Sequence, residues 1–229
     1  MADLTTSARE LREASELLDR AVFGRRLRSP IAMQAAELAS DILVVIPLLD
    51  EARERIVATL RQEEAATRTT VILKIPGKRA DNADARRLFS LTKALFLFVR
   101  AYQDALYGVV FELRTGQPAG DRRMQKAADR AHNPVGEIIR EQMPDYLDWF
   151  AQYRAQRNAI KEGVGFSTVG PTDDLGIAFT DFTAPGGVRV SLHEQNIVRV
   201  SDLVAALSAS AALTILAASQ AEGRSVRSA

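Results

Sequence analysis

Asp145-Tyr-Leu-Asp-Trp-Phe-Ala-Gln-Tyr-Arg-Ala-Gln-Arg-Asn-Ala-Ile-Lys-Glu162 is the stretch that says most about this chain. At about 100° per residue, Tyr146, Trp149, Phe150, Tyr153 and Ile160 fall on one helical stripe that must face a core or a partner. Arg157 lies inside that stripe, with Arg154 and Lys161 at its edge. A guanidinium in such a place needs carboxylate, carbonyl or phosphate partners, because an unpaired buried charge costs several kcal/mol, roughly, even after relaxation. The three cations form one ridge beside an aromatic wall, a cradle suited to an anion or a stacked base. The competing reading is structural: Arg157 tied to Asp104, Asp145 or Glu162, with Trp149, Phe150 and Tyr153 serving as core.

Helical periodicity extends outward from there. Ser7 to about Arg28 reads as an amphipathic helix ending before Ser29-Pro30, and Pro30 suits the first turn of a second helix. Pro47 is expected to kink or divide that second helix. Residues 1–70 therefore read as an N-terminal helical hairpin. Thr69–Asn82 breaks the period with a short β-prone run, Val71-Ile-Leu-Lys-Ile75, followed by Pro76-Gly77, and is the best candidate boundary.

From Ala83, apolar residues recur at helical spacing through Leu88, Leu95, Val99, Tyr102, Leu106, Val110 and Leu113, predicting the longest helix of the chain, stopped by Gly116. One or two short helices are expected within 117–144. A β-hairpin is expected between Ile177–Phe182 and Val188–Leu192, turning at Ala184–Gly187. Ser201 and Asp202 offer a cap for a final Ala-rich helix, and residues 223–229 read as a disordered tail. The predicted fold is mainly α: a helical bundle with one small β-hairpin inserted before the C-terminal helix.

Composition narrows the chemistry. Among 229 residues, 47% hydrophobic and 26% charged content describe an ordinary globular chain, and a net charge of +1 gives no global field for nucleic acid. The chain has no cysteine and only two histidines, His132 and His193. Thiolate chemistry is excluded and a histidine-based metal site disfavoured, so no cofactor is expected. The N-terminus has no secretory pattern, which gives a cytoplasmic expectation. Leu203–Ala221 is uncharged over nearly a bilayer span, but its Ala and Ser content suits a packed bundle helix better than a membrane segment.

Other motifs carry less. Arg122, Arg123, Lys126 and Arg130 read as a solvated helix face. Ile75-Pro-Gly-Lys78 lacks a phosphate-loop frame, and Asp173-Asp174 sits in a Pro-Gly turn.

The order of long helix, variable region, helix carrying Arg157-Asn158, hairpin and packing helix over residues 80–222 resembles the HEPN superfamily of helical nucleotide- and RNA-associated domains. In active members of that family, Arg, a polar residue and a downstream His meet across a homodimer to cleave RNA without metal. Here Arg157 and Asn158 match the start, whereas Glu162, Gly163 and Val164 stand where the His would be. The resemblance therefore implies a degenerate, non-catalytic protein binding RNA, a nucleotide or a partner protein through Arg154, Arg157, Asn158 and Lys161, in a bacterial stress or phage-defence setting. Two other readings stay open. One is a divergent metal-independent ribonuclease using Arg157, Asn158 and Glu162. The other is a structural or regulatory oligomer, and homodimerisation is expected under all three.

Overall fold

A computed structural model describes residues 3–23, 29–67, 73–74, 83–120, 123–129, 132–162, 165–169, 175–180 and 197–226. The chain is mainly α, with a small antiparallel β element ahead of the final helix.

Helix α1 (Leu4–Phe23) begins where Asp3 accepts the Thr6 N–H through its carboxylate at 2.6 Å and the Ser7 N–H through its carbonyl at 3.1 Å. Helix α2 (Pro30–Thr67) starts with Pro30 in its first turn and runs without interruption past Pro47. The expected division at Pro47 therefore does not occur. Proline removes one N–H, leaving the carbonyl four residues earlier without its helical partner. Buried Val45, Ile46 and Leu49 on either side of Pro47 hold both halves against the core. At 38 residues α2 exceeds the 33 of α3 (Ala83–Thr115), reversing the expectation that α3 would be the longest.

Helix α3 is the spine. Leu95, Val99, Tyr102, Leu106 and Val110 are buried along it, each apolar side chain stabilising the fold by about 1.5–3 kcal/mol. Gly116 closes it at φ 74, a left-handed conformation that favours glycine, and its N–H bonds the Glu112 carbonyl at 2.9 Å. Two short helices follow, α4 (Gln125–Asp129) and α5 (Pro134–Gln142). They approach so closely at Gly136 that a Cβ there would lie 2.4 Å from the Ala127 carbonyl oxygen. Helix α6 (Tyr146–Glu162) lies against α3 and α5.

The β element has four strands, β1 (Leu73–Lys74), β2 (Gly165–Val169), β3 (Gly176–Thr180) and β4 (Ile197–Arg199), paired antiparallel in chain order. Its hairpin is β2–β3, with Gly165 opposite Thr180 and Val169 opposite Gly176. Residues 165–169 thus supply the strand that precedes the expected one at 177–182. The expected turn at Ala184–Gly187 and strand 188–192 lie outside the described residues. Strand β1 joins β2 at Leu73 opposite Val169, consistent with the β-prone run.

Helix α7 (Val200–Val226) is capped by Asp202, whose carboxylate accepts the Arg199 N–H at 2.8 Å. It packs against α1 and α3, while α2 packs against α3. One hydrophobic core takes in residues from Leu4 to Ala221. By length and composition alone, the apolar helical stretches Pro30–Gln62, Ala83–Thr115 and Val200–Glu222 could each cross a membrane.

Candidate functional site

Helix α6 divides by face. Tyr146, Phe150, Tyr153 and Ile160 are buried and Trp149 is half-buried, so the aromatic stripe is wall and core together. Tyr153 stacks on Phe96 of α3 at 4.9 Å between ring centroids, and its hydroxyl donates to the Phe96 carbonyl at 2.8 Å. Trp149 stacks on Tyr153 at 5.1 Å, leaving part of the indole open to solvent. Gln156 reaches the Ile197 carbonyl at 3.4 Å, linking α6 to β4.

The ridge lies beside this wall. Arg154 and Arg157 are half-buried, while Asn158 and Lys161 are exposed. The guanidinium of Arg157 donates through Nη1 to Asn158 Oδ1 at 3.1 Å, and its Nε is buried without a hydrogen-bond partner. Among the described residues, Arg154, Arg157 and Lys161 have no carboxylate partner. The Glu162 side chain lies outside the described residues.

Asp104, one of the carboxylates expected for Arg157, is occupied elsewhere. Arg100 Nη1 stands 2.6 Å from Asp104 Oδ1, and the same oxygen accepts the Met124 N–H at 2.6 Å. The Arg100 contact is ionic rather than a well-directed hydrogen bond, since Nη1 makes no bond of acceptable angle. Its guanidinium also lies over the Phe150 ring, 4.8 Å from the centroid.

Burial lowers the Arg100 pKa against the opposing pull of Asp104, and burial raises that of Asp104 against the pull of Arg100. Desolvation thus outweighs attraction within the pair. Arg157 adds like-charge repulsion on Arg100. Burial also raises the phenols of Tyr146 and Tyr153, keeping both neutral.

The sequence carries a signal for Arg100 as well. Phe96, Arg100 and Gln103 recur at i, i+4 and i+7 on a helix, the spacing that made Arg157 conspicuous. His132 is exposed in the turn before α5, whereas His193 and Asp173-Asp174 lie outside the described residues. Among the described residues, no group of three or more His, Cys, Asp or Glu side chains could hold a metal ion.

The arrangement can hold an oxyanion at the solvent edge of α6, where two half-buried guanidiniums, an amide and an ammonium stand beside an indole face. Compared with protein-family models, curated proteins and solved structures, the chain has no significant match to any of them.

Proposed function

We propose that this is a non-catalytic, HEPN-like helical protein that binds RNA or a nucleotide by its phosphate, through Arg154, Arg157, Asn158 and Lys161. The observation that carries this reading is the engagement of Asp104 by Arg100, which leaves Arg157 without a carboxylate among the described residues. A guanidinium held only by a neighbouring amide retains the capacity to bind phosphate in a bidentate manner. The half-exposed Trp149 beside it offers a surface on which a base can stack.

The protein acts in the cytoplasm and as a homodimer under this proposal. Exposed ion pairs of Glu51 with Arg55 and Arg87 on the outer faces of α2 and α3 support a water-soluble bundle, since charges facing hydrocarbon are costly. The bacterial stress or phage-defence setting rests on the family resemblance alone.

The test is binding and cleavage of labelled total bacterial RNA in chelator, comparing wild type with Arg157→Ala after both are shown to be folded. Weaker binding by the variant, with no cleavage by either protein, supports the proposal, and each phosphate contact should add about 0.7 to the salt slope for single strands. Cleavage abolished by the substitution would move the reading to a ribonuclease. Equal binding by the two proteins would detach the ridge from RNA.

A further inference from the structure

A second site lies on the far part of α3, away from the ridge. A cavity of about 320 Å³ opens between the C-terminal half of α3, the loop that follows it and the start of α5. That volume is at the lower end of small-molecule sites. One wall is aromatic: Tyr107 and Phe111, one turn apart on α3, stack with centroids 6.1 Å apart and planes inclined by 27°. Lys126 and His132 also line the cavity, and no carboxylate does among the described residues.

The hydrogen bonds of the cavity define what it lacks. Asn133 caps α5, its Oδ1 accepting the N–H groups of Val135 and Gly136, each at 3.0 Å. Its Nδ2 donates to the Tyr107 hydroxyl oxygen at 3.0 Å. Tyr107 is therefore an acceptor in that bond, and its own hydroxyl hydrogen has no acceptor among the described residues. The side chain is 2% exposed and lines the cavity, so the unspent donor belongs to a buried wall. A phenol O–H, an ammonium and an imidazole together with a stacked aromatic wall call for a flat apolar body carrying anionic oxygens.

The geometry points to a binding site for a small aromatic carboxylate, its ring against Tyr107 and Phe111 and its carboxylate accepting the Tyr107 O–H near Lys126 and His132. This ligand is distinct from the phosphate-bearing partner of α6, and the site stands whether or not the α6 reading does.

Fluorine NMR of 4-fluorobenzoate with the full chain tests it. Saturable binding is expected, displaced by benzoate and not by acetate, with 4-fluorobenzyl alcohol about tenfold weaker because it lacks the charge. Tyr107→Phe should weaken binding about fivefold by deleting the donor, as should Phe111→Leu by removing a ring while keeping apolar bulk. Arg157→Ala should leave binding unchanged. Circular dichroism establishes that each variant is folded, and Phe111→Leu carries the test if Tyr107→Phe does not fold. No saturation by about 10 mM in wild type would overturn the proposal. Equal binding of the alcohol would do the same, as would loss in Arg157→Ala with the cavity variants unchanged.

Discussion

Helix α3 buries polar groups on two faces, and the faces treat them differently. Toward α1 and α7, the Tyr102 and Thr214 hydroxyls are paired at 2.7 Å, Thr214 donates onward to the Ser210 carbonyl at 2.7 Å, and Ser15 approaches the phenol at 3.4 Å. Every hydroxyl in that chain has a partner. Toward α6, Arg100 Nη1, Tyr146 OH and Arg157 Nε are buried without hydrogen bonds. The first seam resembles a closed polar network of the kind that fixes helix register. The second buries polar atoms without hydrogen bonds next to the proposed phosphate ridge, at a cost in stability that the first avoids.

The largest effect is expected from Arg100→Met. The substitution keeps apolar bulk over Phe150 but leaves half-buried Asp104 without its counter-ion, which should cost about 3 kcal/mol in urea unfolding at neutral pH. Adding Asp104→Asn should recover most of that loss, because an amide oxygen can still accept the Met124 N–H. A single variant as stable as wild type would mean the pair lies in a wetter place than its burial indicates.

The two phenols then sharpen the contrast. Tyr102→Phe breaks a satisfied bond and should cost about 1 kcal/mol, whereas Tyr146→Phe removes a buried hydroxyl with no partner and should be neutral or stabilising by up to about 1 kcal/mol. Thermal unfolding of both variants decides it. Equal losses would show that Tyr146 has a bonding partner, such as buried water.

Much of this architecture was legible because it is periodic. The spacing from Leu88 to Leu113 announced α3, and the aromatic spacing of α6 announced which of its residues face inward. Pro47 does not divide α2, because the loss of one N–H is outweighed by core contacts on both sides of it. Strand β2 has no signal in the sequence pattern because its pairing is made with residues distant in the chain, from Leu73 to Thr180. The ridge residues were visible as misplaced charge on a stripe. Their neighbour Arg100 has the same signature on α3, with Asp104 one turn on as its partner. The Arg100–Asp104 pair is local to α3, whereas the burial of Arg100 against the Phe150 ring depends on how α3 meets α6, which no local pattern encodes.

The smallest predicted effect concerns pH and isolates the cost of the charged seam. Burial raises the Asp104 pKa in the folded protein despite the nearby Arg100, so the folded state holds this proton more tightly than the unfolded chain does. Its contribution to stability is then fully present below the unfolded value of 3.8 and is lost as pH rises through the higher folded value. Wild type should therefore gain stability relative to Asp104→Asn as pH falls through that window, whatever the other carboxylates contribute to both proteins. Urea titrations of the pair across the acid range measure the difference directly. The opposite slope would mean that attraction to Arg100 outweighs desolvation, making the α6 seam a stabilising ion pair and removing the physical contrast with the Tyr102 face.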